Sequence, residues 1–113
     1  MSDTKERIQA ASLKVVERLK EHMRERGVSF YKTILFGSRA RGEAEAESDV
    51  DVLVIVEKLD PELRKTISYC AWEVGFEAGM VVQTVVRSRA QVEEGPEKSS
   101  LLMLAVEEEG IVV

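Results

Sequence analysis

The stretch SFYKTILFGSRARGEAEAESDVDVLVIV, residues 29–56, decides the fold. Residues 29–36 mix aromatic and β-branched side chains and read as a strand. Gly37-Ser38 breaks that strand, and residues 39–48 are polar and Glu-rich. From Asp49 the chain turns to DVDVLVIV, residues 49–56, a second strand. Both faces of this second run are apolar after Asp51, which predicts a central strand covered on both sides. The two aspartates at its head pose the functional question, because charge is seldom set at the end of a core strand for stability.

Outward from this pair, residues 4–26 read as an amphipathic helix. Ile8, Ala11, Val15, Leu19 and Met23 recur at spacings of three and four, and Gly27 ends the run. Downstream, Asp60-Pro61-Glu62 is a helix start, and that helix reaches Ala78 before Gly79 stops it. MVVQTVV, residues 80–86, is a third strand. Ser88 and Gln91 form a capping box for a short helix, which Gly95-Pro96 interrupts. Residues 97–109 read as a last helix, and IVV after Gly110 as a short edge strand. The expected class is α/β (α+β), a small mixed sheet with helices packed on it, with residues 1–113 forming one domain.

Composition narrows the functions. The chain is 44% hydrophobic and 33% charged, as ordinary globular proteins are. Its net charge of −5 speaks against a broad grip on polymeric nucleic acid. No apolar run approaches the roughly 20 residues of a membrane helix. One cysteine and no secretion-type leader predict a cytoplasmic protein.

On a strand, residues i and i+2 face the same way about 6.6 Å apart, so Asp49 and Asp51 can converge on a cation. Oxygen-only ligands favour Mg²⁺ or Mn²⁺. Gly37 allows close backbone approach, while its neighbouring amides and the Ser38 hydroxyl suit phosphate oxygens. Arg39 and Arg41 add positive charge beside them. Phosphate and metal grips at the ends of adjacent strands are what a nucleoside triphosphate site requires.

Gly37, Ser38, Arg41, Gly42, Ser48, Asp49 and Asp51 together resemble the signature of the minimal nucleotidyltransferases of the DNA polymerase β-like superfamily. That resemblance implies the polymerase β-like nucleotidyltransferase fold. It implies Mg²⁺ (or Mn²⁺) held by the catalytic pair Asp49 and Asp51, and ATP or another NTP held through Gly37, Ser38 and Arg41. It implies transfer of a nucleoside monophosphate, with AMP from ATP as the first choice. It also implies an antitoxin role beside a HEPN-type helical toxin, whose hydroxyl would be the acceptor. Active members carry a third carboxylate on a later strand, where this chain has Gln83. An amide oxygen can approach a cation but cannot act as a base, so reduced turnover is expected.

The second long helix carries two stripes. Leu63, Ile67, Cys70, Val74 and Ala78 form one; Tyr69, Trp72 and Phe76 form another on a different side. A helix lying on a sheet needs one apolar face. The aromatic stripe is therefore expected either under the C-terminal helix or at an interface with a partner or a second copy. Cys70 reads as core packing, His22 as a surface or edge residue, and residues 43–47 as a solvated loop. The alternative to a transferase is a catalytically weak binding module that neutralises its partner by contact.

Overall fold

The computed structural model describes residues 2–43 and 48–113. Four strands form one sheet in the order β3-β2-β1-β4. The chain runs α1 (Ser2–Glu25), β1 (Lys32–Phe36), α2 (Ser38–Arg41), β2 (Val50–Val56), α3 (Pro61–Ala78) and β3 (Val82–Ser88). It continues through α4 (Arg89–Glu93), a 3₁₀ turn (Pro96–Ser99), α5 (Leu101–Glu109) and β4 (Ile111–Val112). β1 pairs antiparallel with β2 and with β4, while β2 and β3 run parallel. The sheet is mixed, as expected.

β2 is the spine of the core. Val50, Val52, Val54 and Val56 face α1 and α3, meeting Val16, Leu19, Met23, Ile67, Cys70 and Val74. Leu53 and Ile55 face the other way, onto Ile34 and onto Met103 and Val106 of α5. The two-sided burial explains why β2 reads as a continuous apolar run rather than an alternating one. Burial pushes the Cys70 thiol above its ordinary value, and the side chain is core packing.

Local signals place the boundaries well. Asp60 accepts from the Leu63 N–H at 2.8 Å, with Pro61 opening α3. Ser88 and Gln91 form the reciprocal capping box that opens α4. β3 departs from expectation, starting at Val82 and reaching Ser88. Gly79 sits at φ +69°, and the Met80 N–H returns to Gly75 O, so the turn consumes residues 79 and 80, and Val81 O then accepts from the Val50 N–H at 2.8 Å. β1 likewise starts later than read, at Lys32, although the Tyr31 N–H still bonds to Ile55 O.

One expectation is corrected, and one pair of alternatives is resolved. His22 is buried, because the edge of the α1 stripe turns toward α3. Its Nδ1 lies 3.4 Å from Glu73 Oε1, and its Nε2 lies 3.5 Å from Glu77 Oε1. The C-terminal helix does not cover the aromatic stripe, since α5 packs on the opposite face of the sheet. Tyr69, Trp72 and Phe76 are exposed on the outside of α3. The solvated loop expected over 43–47 lies, from 44 onward, outside the described residues.

Candidate functional site

Asp51 stands in the sheet between Phe36 of β1 and Gln83 of β3, its Cα partners on either side. Alternation along β2 turns it to the α5 side, the side of Leu53 and Ile55. Asp51 is half-buried on that face. Asp49 lies just before the strand.

The chain leaves β1 through Gly37, at φ +80° and ψ −163°, a region open essentially to glycine alone. A Cβ added there would overlap Asp51 Oδ2 and lie 3.3 Å from Asp51 Cγ. The absence of a side chain lets the Asp51 carboxylate rest on the turn that leads into Ser38. The structure therefore brings Gly37, Ser38 and Asp51 together across adjacent strands.

The electrostatics are adverse without a ligand. Burial, then the charge of Asp49, then that of Glu109, push the Asp51 carboxyl above its ordinary value. Glu109, the last residue of α5, was missed by sequence reasoning. The signal for it is indirect: β4 pairs Ile111 with Leu35 and Val112 with Ile34, which carries the end of α5 to the site end of β1. Glu109 binds the Arg41 guanidinium, and Glu43 accepts from Arg41 Nε at 3.0 Å. Arg41 is exposed at the rim of the site, held by carboxylates that a phosphate would have to displace.

Arg39 has a different role from the one expected. It is 4% exposed; its Nε donates to Ser48 O at 2.8 Å and its Nη1 to Ser12 Oγ at 3.4 Å. Its charge serves the backbone, tying the segment before Asp49 to α1. Gln9 Nε2 donates to Ala40 O at 2.7 Å, so α1 also fastens α2. Glu73 and Glu77 are engaged with His22 and Arg18 of α1 and with Arg26 just after it, on the far side of the sheet from Asp51.

Among the described residues, no group of three or more His, Cys, Asp or Glu side chains is gathered as a metal cage. The donor set nonetheless fits a hard divalent cation. Mg²⁺ is commonly held by one or two carboxylates completed by substrate phosphates. A cation beside Asp51 also relieves the crowding that raises its pKa. A surface depression of about 990 Å³ lies at the other end of β2 and β3 beside Lys58, Asp60, Arg64 and Ser88, and its lining includes none of the site residues.

No curated protein matches the chain in a sequence search. Two solved structures share its fold. A chain of a toxin–antitoxin crystal structure with AMP-PNP gives a TM-score of 0.58 at 20% identity, over 85% of this chain and 69% of that one. A Sulfolobus solfataricus protein described as a nucleotidyltransferase gives a TM-score of 0.52 at 16% identity, over 97% and 82%. Residues 16–107 match the nucleotidyltransferase domain family; that span takes in every site residue from Gly37 to Glu43 and from Ser48 to Gln83, and the chain belongs to this family.

Proposed function

We propose that the chain transfers a nucleoside monophosphate, AMP from ATP, to a hydroxyl on a partner protein, as the antitoxin of a pair with a HEPN-type helical toxin. One observation carries the reading: a desolvated Asp51 carboxylate lies on the Gly37 turn, beside the charge of Asp49 and without a cation partner among the described residues. That the toxin–antitoxin neighbour holds an ATP analogue supports both the donor and the setting. The acidic balance of the chain favours a protein acceptor over a nucleic-acid one.

Asp49 and Asp51 hold Mg²⁺ or Mn²⁺, which when bound neutralises phosphate charge during displacement. The Gly37-Ser38 turn and the Ser38 hydroxyl orient the triphosphate. Arg41 swings from Glu109 and Glu43 onto the phosphates as the nucleotide enters. The acceptor oxygen forms a bond to the α-phosphorus while the bond to the α–β bridging oxygen breaks. Pyrophosphate leaves with that electron pair, and the hydroxyl proton passes to solvent. Gln83, beside Asp51 in the sheet, steadies a neutral contact but takes no proton.

The test is incubation with α-labelled ATP, Mg²⁺ and the product of the neighbouring gene. Label on that product, absent with Asp51→Asn, supports transfer. The second reading is a binding module that neutralises its partner by contact, favoured by Gln83 standing where active relatives carry an acid. It is upheld if the partner is silenced without label and Asp51→Asn silences it equally well.

A further inference from the structure

The outer face of α3 belongs to neither the core nor the site. Tyr69 is 52%, Trp72 63% and Phe76 77% exposed, and Val81 beside them is 58% exposed. The rings form a ladder, with centroids 6.2 Å apart from Tyr69 to Trp72 and 5.6 Å from Trp72 to Phe76. Alongside runs a shallow groove of about 570 Å³ floored by Ala71, Gly75 and Gly79. Water-exposed aromatic surface in one continuous strip marks an interaction site.

The charges along the same strip say what covers it. At about 100° per residue, Lys65 lies in line with Tyr69, Trp72 and Phe76, one turn before them. Lys65 is exposed, has no ion-pair partner among the described residues, and stands near the positive amino end of its own helix. At the other end of the strip, the last turn of α3 carries no basic residue to meet its negative carboxyl end. One end of the strip offers an exposed cation and the other a helix carboxyl end with no basic residue of its own. An antiparallel second copy matches both at once.

We propose that this face is an isologous dimer interface, with two α3 helices packed antiparallel about Trp72. Tyr69 of each copy meets Phe76 of the other, and Lys65 of each meets the carboxyl end of the other α3. Tyr69 lies three residues before Trp72 and Phe76 four after it, so helices crossing antiparallel at Trp72 set each against the other, the reciprocal pairing of a twofold interface. Aromatic side chains bury about 150–250 Å² each, so at these exposures the strip and its rim supply roughly 500 Å² per copy. That is the low end for specific interfaces, where weak association is the rule, and a dissociation constant of roughly 1–100 μM is expected. The inference is independent of the nucleotidyl-transfer reading.

Trp72 is the only tryptophan in the chain, so its emission reports this face alone. Sedimentation velocity of the full chain from about 1 μM to 1 mM is expected to pass from monomer to dimer. Trp72 emission should shift to the blue over the same range. Phe76→Lys should remain monomeric with an unchanged far-UV spectrum. Lys65→Glu should weaken the dimer about tenfold, because the contact occurs twice. A wild-type chain that stays monomeric at 1 mM overturns the proposal. So does a dimer that survives Phe76→Lys while Trp72 keeps the emission of an exposed indole.

Discussion

Replacing Gly37 by alanine tests the geometry on which the site rests. Two costs arise at once. The backbone at φ +80° and ψ −163° is nearly forbidden to a residue with a Cβ, at about 1–3 kcal/mol. The new methyl also overlaps Asp51 Oδ2, so the carboxylate must swing away. For a domain of this size, the strain lowers Tm by about 4–12 °C. A displacement of about 1 Å at a reacting centre is enough to cost about a hundredfold in rate. The matched control is Gly79→Ala. It also stands at positive φ, +69°, but nothing lies within 4 Å of its added Cβ. It should lose about 1–2 kcal/mol and leave the site intact. Thermal melts and calorimetric titration with ATP and Mg²⁺ read both variants. Gly37→Ala should lose stability and nucleotide binding; Gly79→Ala should lose stability alone. Wild-type nucleotide affinity in Gly37→Ala would show that the contact between the turn and Asp51 does not shape the site.

Three further outcomes are expected. Asp51 is an acid with its folded-state pKa raised, so the native state holds its proton more tightly than the unfolded chain does. Its contribution favours folding below the ordinary value of 3.8 and turns against folding as pH rises through the higher folded value. Asp51→Asn should therefore raise Tm at pH 7 while abolishing Mg²⁺-dependent nucleotide binding, and the Tm gap should close below that window; a pH-independent gap refutes the assignment. Arg39→Ala removes a buried, hydrogen-bonded charge and should cost about 3 kcal/mol by chemical denaturation, with Arg39→Lys restoring little because the lysine lacks the planar fork. Gln83→Asp should raise kcat about tenfold or more in the transfer assay if a missing base limits turnover, and an unchanged rate refutes that account.

The parts of the fold readable in the sequence are those set by local chemistry. Asp60-Pro61 and Ser88–Gln91 are caps whose hydrogen bonds close within one turn, and both occur as read. β2 is legible because a two-sided strand has no polar face. The misreadings concern residues whose environment is built by distant segments. Arg39 and Arg41 look alike in sequence, two residues apart. Yet one is buried against Ser12 of α1 and Ser48, while the other reaches Glu109 at the far end of the chain. His22 is buried only because α3 brings Glu73 and Glu77 to it. Glu109 joins the site solely through the pairing of β4 with β1, a tertiary fact without a local signature.

Within β2, every residue except Asp51 is buried and aliphatic, and Asp51 alone breaks the pattern. A carboxylate at such a place is tolerated when a cation sits beside it. Both nearby arginines are directed elsewhere: Arg39 to the Ser48 carbonyl and Arg41 to Glu109 and Glu43. Asp49 and Glu109 then add their own negative charge to Asp51. A chain selected only for stability would turn an arginine inward or replace the aspartate with valine. Retaining three acids around one turn, with the available guanidiniums turned away, leaves a site whose electrostatic balance is completed from outside. On the proposed reading, a divalent cation with a polyphosphate would satisfy both halves: the metal would offset Asp49 and Asp51, and the phosphates would offer Arg41 a stronger anion than Glu109.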